Sequence, residues 1–152
     1  MTKIIVLVGP PNSGKTTWTK NFMNNNIDYV KVSRDDIRQS LFNSWVVSNQ
    51  MENVISKLQN QMILTLIQNN VNVILDNTHC KMKYIQDIID CFGSSADIIF
   101  KIFDVDEHTL YARNEYRGKI DGKYIPDTVM SNMIKNFNEL KETFDFKDII
   151  HS

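Results

Sequence analysis

The sequence predicts an α/β domain, a parallel sheet of four to five strands with helices on both faces. Three observations carry this. Short apolar, β-branched runs alternate with stretches of helical periodicity. The first run opens into a Gly-containing loop and then a helix. Two later runs stop at an acid, Asp76 and Asp104, which puts polar groups at the carboxyl ends of strands. Ligands of such sheets bind there.

Each element has its own signal. Lys3 to Val8 is a continuous apolar run, as expected for a strand buried on both faces. Lys15 to Asn25 reads as a helix that ends in an Asn run. Asp28 to Val32 is a short strand. Ser33, with Asp36 three residues on, caps a helix over Arg34 to Phe42. A long helix follows from about Ser48 to Gln68. Met51, Val54, Ile55, Leu58, Met62 and Leu66 keep helical spacing along it and mark the expected core face. Val71 to Leu75 is a buried strand. Met82 to Phe92 is helical, and Gly93 ends it. Ile98 to Phe103 is another strand. Asp106 caps a helix to about Arg117, and the loop Gly118 to Tyr124 leads to Pro126 at the start of a further helix. Phe144 to Ile150 is a candidate last strand.

The chain has 152 residues, which fits one domain over 1–152. With 42% hydrophobic and 23% charged residues it can bury a core and is not a disordered tail. The longest apolar run, Ile4 to Val8, cannot span a bilayer, and no secretory leader is expected. The only cysteines are Cys80 and Cys91, so a reducing, cytoplasmic setting is expected, that of a phage-encoded protein in its host included. The net charge of −1 does not suit a protein that coats long nucleic acid, so nucleic-acid contact should be confined to a few nucleotides. Among 17 basic residues only four are Arg, and they form two close pairs, Arg34 with Arg38 and Arg113 with Arg117. Arg grips phosphate in a fork that Lys cannot copy.

Gly9-Pro10-Pro11-Asn12-Ser13-Gly14-Lys15-Thr16 fits the phosphate-loop pattern G-x-x-x-x-G-K-[ST] between a strand and a helix. Gly9 and Gly14 permit backbone angles and close approach that a Cβ would block. Successive N–H groups and the helix N-terminus form an anion cradle. Lys15 is the point charge for the β- and γ-phosphates, and Thr16 offers a hydroxyl to Mg²⁺. With Thr17 these residues make the candidate nucleotide site, for ATP or another nucleoside triphosphate.

On the acceptor side, Asp35 and Arg38 lie three apart on one helix face. Phosphoryl transfer to a hydroxyl needs a carboxylate to orient and deprotonate it, and gains from a cation that fixes the acceptor. On the residues alone, a surface ion pair is the commoner explanation. Asp36 is the alternative base, and it lies about 100° further round the helix, so only one of the two faces a given site. Asp76, with Asn77 and Thr78 beside it, is the strand-end acid expected of a phosphate-loop protein, for Mg²⁺ or substrate. Asp104 reads as structural.

Arg113 and Arg117 are four apart with no acid at helical spacing inside the expected helix. Like charges so placed disfavour the helix by about 0.2–0.5 kcal/mol, which an anion lying against them would offset. They make a candidate lid for the moving phosphoryl group, with Gly118 and Gly122 as hinge. A solvated helix end is the alternative. His79, His108 and His151 make no metal pattern. Cys80 reads as a buried thiol, Trp18 and Trp45 as packing residues, and Tyr111 and Tyr116 as possible stacking partners of adenine.

These residues together resemble the kinase domain of phage-type polynucleotide 5′-hydroxyl kinases. The matching pieces are Gly9 to Trp18, Ser33 to Ser40 (SRDDIRQS), Asp76 to Thr78 (DNT), Phe103 to Val105 (FDV) and Arg113 to Gly118 (RNEYRG), in order up to about Phe137. The resemblance implies a three-layer P-loop kinase fold with an arginine-bearing lid and transfer of the ATP γ-phosphate to a DNA or RNA 5′-hydroxyl end. It makes Asp35 the general base and Arg38 the ligand of the acceptor's 3′-phosphate. Asp76 and Thr78 would support the acceptor pocket, with Asp76 holding Arg38. Arg117 would act on the transferring phosphate, with Arg113 on the donor side. Phe42 to Glu52 departs from the family's equivalent segment, and no phosphatase domain is expected. A phosphate-loop kinase of a nucleoside, sugar or antibiotic is the competing reading, and a non-catalytic nucleotide-binding module a third.

Overall fold

The apolar run Ile4 to Val8 is fully buried in the central strand β1 (Lys3–Val8). In the computed structural model, which describes residues 1–146, β1 is followed by α1 (Lys15–Asn25), β2 (Tyr29–Val32), α2 (Arg34–Phe42) and α3 (Asn49–Gln68). Then come β3 (Asn72–Leu75), α4 (Met82–Phe92), β4 (Asp97–Ile102), α5 (Glu107–Ile120) and α6 (Asp127–Thr143). Among the described residues the sheet has four strands in the order β2-β3-β1-β4, all parallel. Ile4 pairs with Val73 and Ile98, so β1 is hydrogen-bonded on both edges.

Alternation along β1 sends its side chains to two layers. Ile4, Val6 and Val8 meet Ile63 and Ile67 of α3, Ile85, Ile88 and Phe92 of α4, and Phe137 and Leu140 of α6. Ile5 and Leu7 point the other way, onto Phe103 and onto Trp18 and Phe22 of α1. Helices therefore cover both faces. Leu110 of α5 packs on Met130 and Ile134 of α6 in a smaller cluster beside the sheet. No helix among the described residues is long and apolar enough to cross a membrane.

The structure moves several boundaries. The side chain of α3 that faces the core is the series Ile55, Gln59, Ile63 and Ile67, whereas Val54, Leu58 and Met62 are exposed. Both series keep helical spacing. The polar Gln59 interrupts the true core series, and it is accommodated because its Oε1 accepts from Asn77 Nδ2 at 2.8 Å. Helix α5 runs past Arg117 to Ile120. Gly118 thus lies inside the helix, where Tyr124 packs so closely that a Cβ would sit 3.0 Å from Tyr124 Cβ. Only Gly122, at φ 72°, lies in the loop. Gly93 follows α4 in right-handed geometry rather than as a left-handed cap. Residues 144–146 are not a strand, and the rest of the expected C-terminal strand lies outside the described residues, as does His151.

Candidate active site

The loop between β1 and α1 runs from Gly9 to Gly14. Gly14 sits at φ 96°, a left-handed angle that turns the chain into α1. Gly9 is pressed against Phe103, where a Cβ would come within 2.8 Å of the Phe103 Cβ. Lys15 is buried and folds back over the loop. Its Nζ donates to Gly9 O at 2.9 Å, Pro10 O at 2.6 Å and Ser13 Oγ at 3.3 Å. Burial brings its pKa down to about 8, against the opposing fields of Cys80, Asp76 and Asp35. A phosphate arriving here would take over the ammonium from these carbonyls. Thr16 and Thr17 are exposed in the first turn of α1.

Asp76 follows β3 at the carboxyl edge of the sheet, buried, and its Oδ2 accepts from Thr16 Oγ1 at 3.2 Å. Burial raises its pKa, with Lys15 opposing. The expectation that Asp76 holds Arg38 is corrected: the carboxylates on Arg38 are Asp35 and Glu52. The rest of the D-N-T segment also ties the loops together. Asn77 Oδ1 accepts from the Arg34 N–H at 2.9 Å and so fixes the start of α2. Thr78 contributes its carbonyl, which accepts from Gly9 N at 3.0 Å. His79 next to it is buried at φ 50°, with Nδ1 2.6 Å from Leu7 O, and burial lowers its pKa to about 4. The loop is thereby tied to the neighbouring strand end. Cys80 is a buried free thiol, its pKa pushed up to about 11 by burial.

Ser33 Oγ caps α2 by accepting from Asp36 N, as expected. Asp36 pairs with Lys31 at 2.9 Å. Asp35 is the acid that meets Arg38 and Lys123. Its Oδ1 accepts from Arg38 Nη1 at 2.6 Å and its Oδ2 from Lys123 Nζ at 2.9 Å. Arg38 also forks onto Glu52, with Nε to Oε1 at 2.6 Å and Nη2 to Oε2 at 2.9 Å. Arg34 reaches the same carboxylate at 2.5 Å and Ser56 Oγ at 2.5 Å. Hydrogen bonds from Arg38 and then Arg34 hold the Glu52 pKa down to about 2, against the opposing effect of its burial. Glu52 in turn raises that of Arg38. Asp35, Asp76 and Lys123 all act electrostatically on Lys15, so the phosphate loop and the α2 carboxylate share one site.

The arginine helix lies on the loop. Arg113 Nη1 donates to Asn12 O and Arg117 Nη1 to Asn12 Oδ1, each at 2.9 Å. Asn12 is held at φ 69° and also donates to Asn114 Oδ1 at 3.3 Å. Because α5 is longer than expected, Arg117 does find an acid, Asp121 at 3.9 Å, a weak exposed pair. Tyr111 packs in the small α5–α6 cluster and Tyr116 is exposed.

Four positions that contact the candidate site, Trp45 by way of Lys123, escaped the sequence reading. Glu52 entered only as the end of the segment that departs from the resembled family. Buried Asn114 ties the lid to the next loop, accepting from Ile125 N and donating to Ile125 O. Lys123 lay in a loop with no pattern. Trp45 was expected to pack, yet it is exposed, with Lys123 Nζ 4.2 Å from its ring centroid. Trp18 does pack, stacked on Phe22 at 4.8 Å. No sequence pattern marks contacts made across elements so far apart in the chain. The outward ion pair of Asp104 with Lys141 fits its structural reading.

A parallel sheet, a phosphate loop after β1 and an arginine lid define the class: a P-loop kinase fold, which binds a nucleotide at that loop. The chain belongs to the AAA domain family AAA_33, which it matches over residues 4–140. It is similar to a chain of the Pnkp1/Rnl/Hen1 RNA repair complex at 35% identity and a TM-score of 0.90, covering 96% of this chain and 47% of that one. A second structure of the Pnkp1/Rnl/Hen1 complex gives 32% identity and a TM-score of 0.75, covering 96% and 44%. Chaetomium thermophilum Kti12 in complex with ADP-AlF3 shares the fold alone, at 14% identity and a TM-score of 0.70, covering 97% and 88%. The chain spans about half the length of the RNA-repair proteins it matches.

Proposed function

We propose that this chain transfers the γ-phosphate of ATP to the 5′-hydroxyl end of a nucleic acid. The observation that carries the reading is Asp35, a carboxylate set between the cations Arg38 and Lys123 and within the electrostatic reach of the phosphate-loop lysine. The likeness to a chain of an RNA repair complex supports a nucleic-acid acceptor. In the reaction Asp35 accepts the proton of the 5′-hydroxyl as its oxygen bonds to the γ-phosphorus. The bond from that phosphorus to the β-γ bridging oxygen breaks, and ADP leaves. Lys15 and the loop N–H groups hold the phosphate oxygens, and Arg117, with Arg113 beside it, carries charge on the transferring group.

Thr16 and Asp76 offer a hydroxyl and a carboxylate oxygen side by side, a donor set suited to a hard cation. They would hold Mg²⁺, Thr16 directly, and the ion would neutralise charge on the β- and γ-phosphate oxygens. Arg38 is proposed to bind the acceptor's 3′-phosphate, with Thr78 lining the pocket wall and only a few terminal nucleotides in contact.

The acceptor's chemistry tests this. A nucleoside 3′-monophosphate should be phosphorylated on its 5′-hydroxyl far better than the free nucleoside, and Arg38→Ala should erase that preference. Equal use of both, or robust turnover of a sugar instead, would contradict a polynucleotide acceptor.

A further inference from the structure

The loop between α2 and α3 carries an aromatic ring that the mechanism above leaves unused. Trp45 is 42% exposed and, among the described residues, belongs to none of the three apolar clusters. Its contact is with a cation: Lys123 Nζ lies 4.2 Å from the ring centroid. The same ammonium donates to Asp35 Oδ2 at 2.9 Å. One small group thus touches both, so the indole and the carboxylate are separated by no more than that ammonium's two contacts. In a nucleoside the sugar separates the 5′-oxygen from the base. A hydroxyl seated at Asp35 therefore brings its own base within range of the indole.

We propose that Trp45 is the stacking platform for the terminal nucleobase of the acceptor, and that Lys123 covers it in the free protein. This deepens, and rests on, the 5′-kinase reading. A cation and a nucleobase compete for the same π face, and Lys123 has a long flexible stem with which to leave it. Arg34 and Arg38, on the neighbouring α2, are engaged by Glu52, and the cation over the ring is Lys123. Stacking accepts any base, because every base has a π face. Such a site discriminates little among the four bases and strongly against an end that lacks one.

The test uses the full chain with ATP and Mg²⁺ and two oligonucleotides, one ending in a normal 5′-hydroxyl nucleotide and one in a 5′-hydroxyl abasic residue. The expected acceptor KM is about tenfold lower for the base-bearing end. Trp45→Ala raises that KM about tenfold and so removes the difference between the ends, and Trp45→Phe restores most of it. Titrating unlabelled oligonucleotide without ATP should quench tryptophan fluorescence in the wild type and not in Trp45→Phe. Equal KM values for the two ends in the wild type overturn the proposal, as does quenching that persists in Trp45→Phe. Absence of transfer to any oligonucleotide would overturn the 5′-kinase reading itself, and the platform with it. Transfer that ignores the terminal base overturns the platform alone.

Discussion

Glu52 shows how one carboxylate can set a site it does not act in. It takes hydrogen bonds from Arg34 and Arg38 on one side of α2 and leaves Arg38 one Nη1 contact with Asp35. Glu52→Gln removes the charge and presents an amide to a guanidinium. The expected result is an acceptor KM raised about tenfold or more, because a misplaced orienting group is costly, with the KM for ATP unchanged. A destabilisation of about 1–3 kcal/mol by urea unfolding should accompany it. An unchanged acceptor KM would mean that Arg38 needs no such support. Lys15 makes a second prediction. Its pKa of about 8 in the free protein rises when phosphate oxygens favour the charged form. Binding of ADP near that pH should therefore take up about half a proton, visible as a buffer-dependent enthalpy in calorimetry. Lys15→Arg, which stays charged, should take up none. Equal uptake by both would contradict the assignment.

At the scale of elements, pattern found the helices more reliably than it found their faces. The bounds of α1 and α2 follow from their flanking residues, since Ser33 caps α2 and Gly14 turns the chain into α1. On α3 two apolar series compete, and periodicity does not choose between them. The choice was made by Asn77, which supplies a partner for Gln59 and lets that series face inward. Ile63→Ala should cost about 2–5 kcal/mol, as a core truncation. Leu58→Ala should stay within about 0.5 kcal/mol, as a surface change. Urea melts of the two variants check this, and the reverse order would contradict the face assignment. The end of α5 was hidden for a similar reason. Gly118 looks like a helix stop until Tyr124 is seen packed on it, and the longer helix brings Asp121 within reach of Arg117.

At the scale of the molecule, the phosphate loop, the α/β class and the acids at the strand ends were legible because each depends on contiguous residues. The acceptor side was legible in part. Asp35 and Arg38 share a short motif, whereas Glu52, Asn114 and Lys123 meet them or the loop only after folding, and Trp45 meets Lys123. The four arginines fall on two partners, Arg34 and Arg38 on Glu52 and Arg113 and Arg117 on Asn12 of the phosphate loop. The central claim is that Asp35 is the base for a nucleic-acid 5′-hydroxyl. The most direct measurement follows labelled γ-phosphate from ATP, with Mg²⁺, onto a 5′-hydroxyl oligonucleotide, in the wild type and in Asp35→Ala. The account predicts transfer by the wild type and a loss of at least about a hundredfold in kcat in the variant, with ATP still bound. Transfer that survives Asp35→Ala, or no transfer to any DNA or RNA end by the wild type, would contradict it.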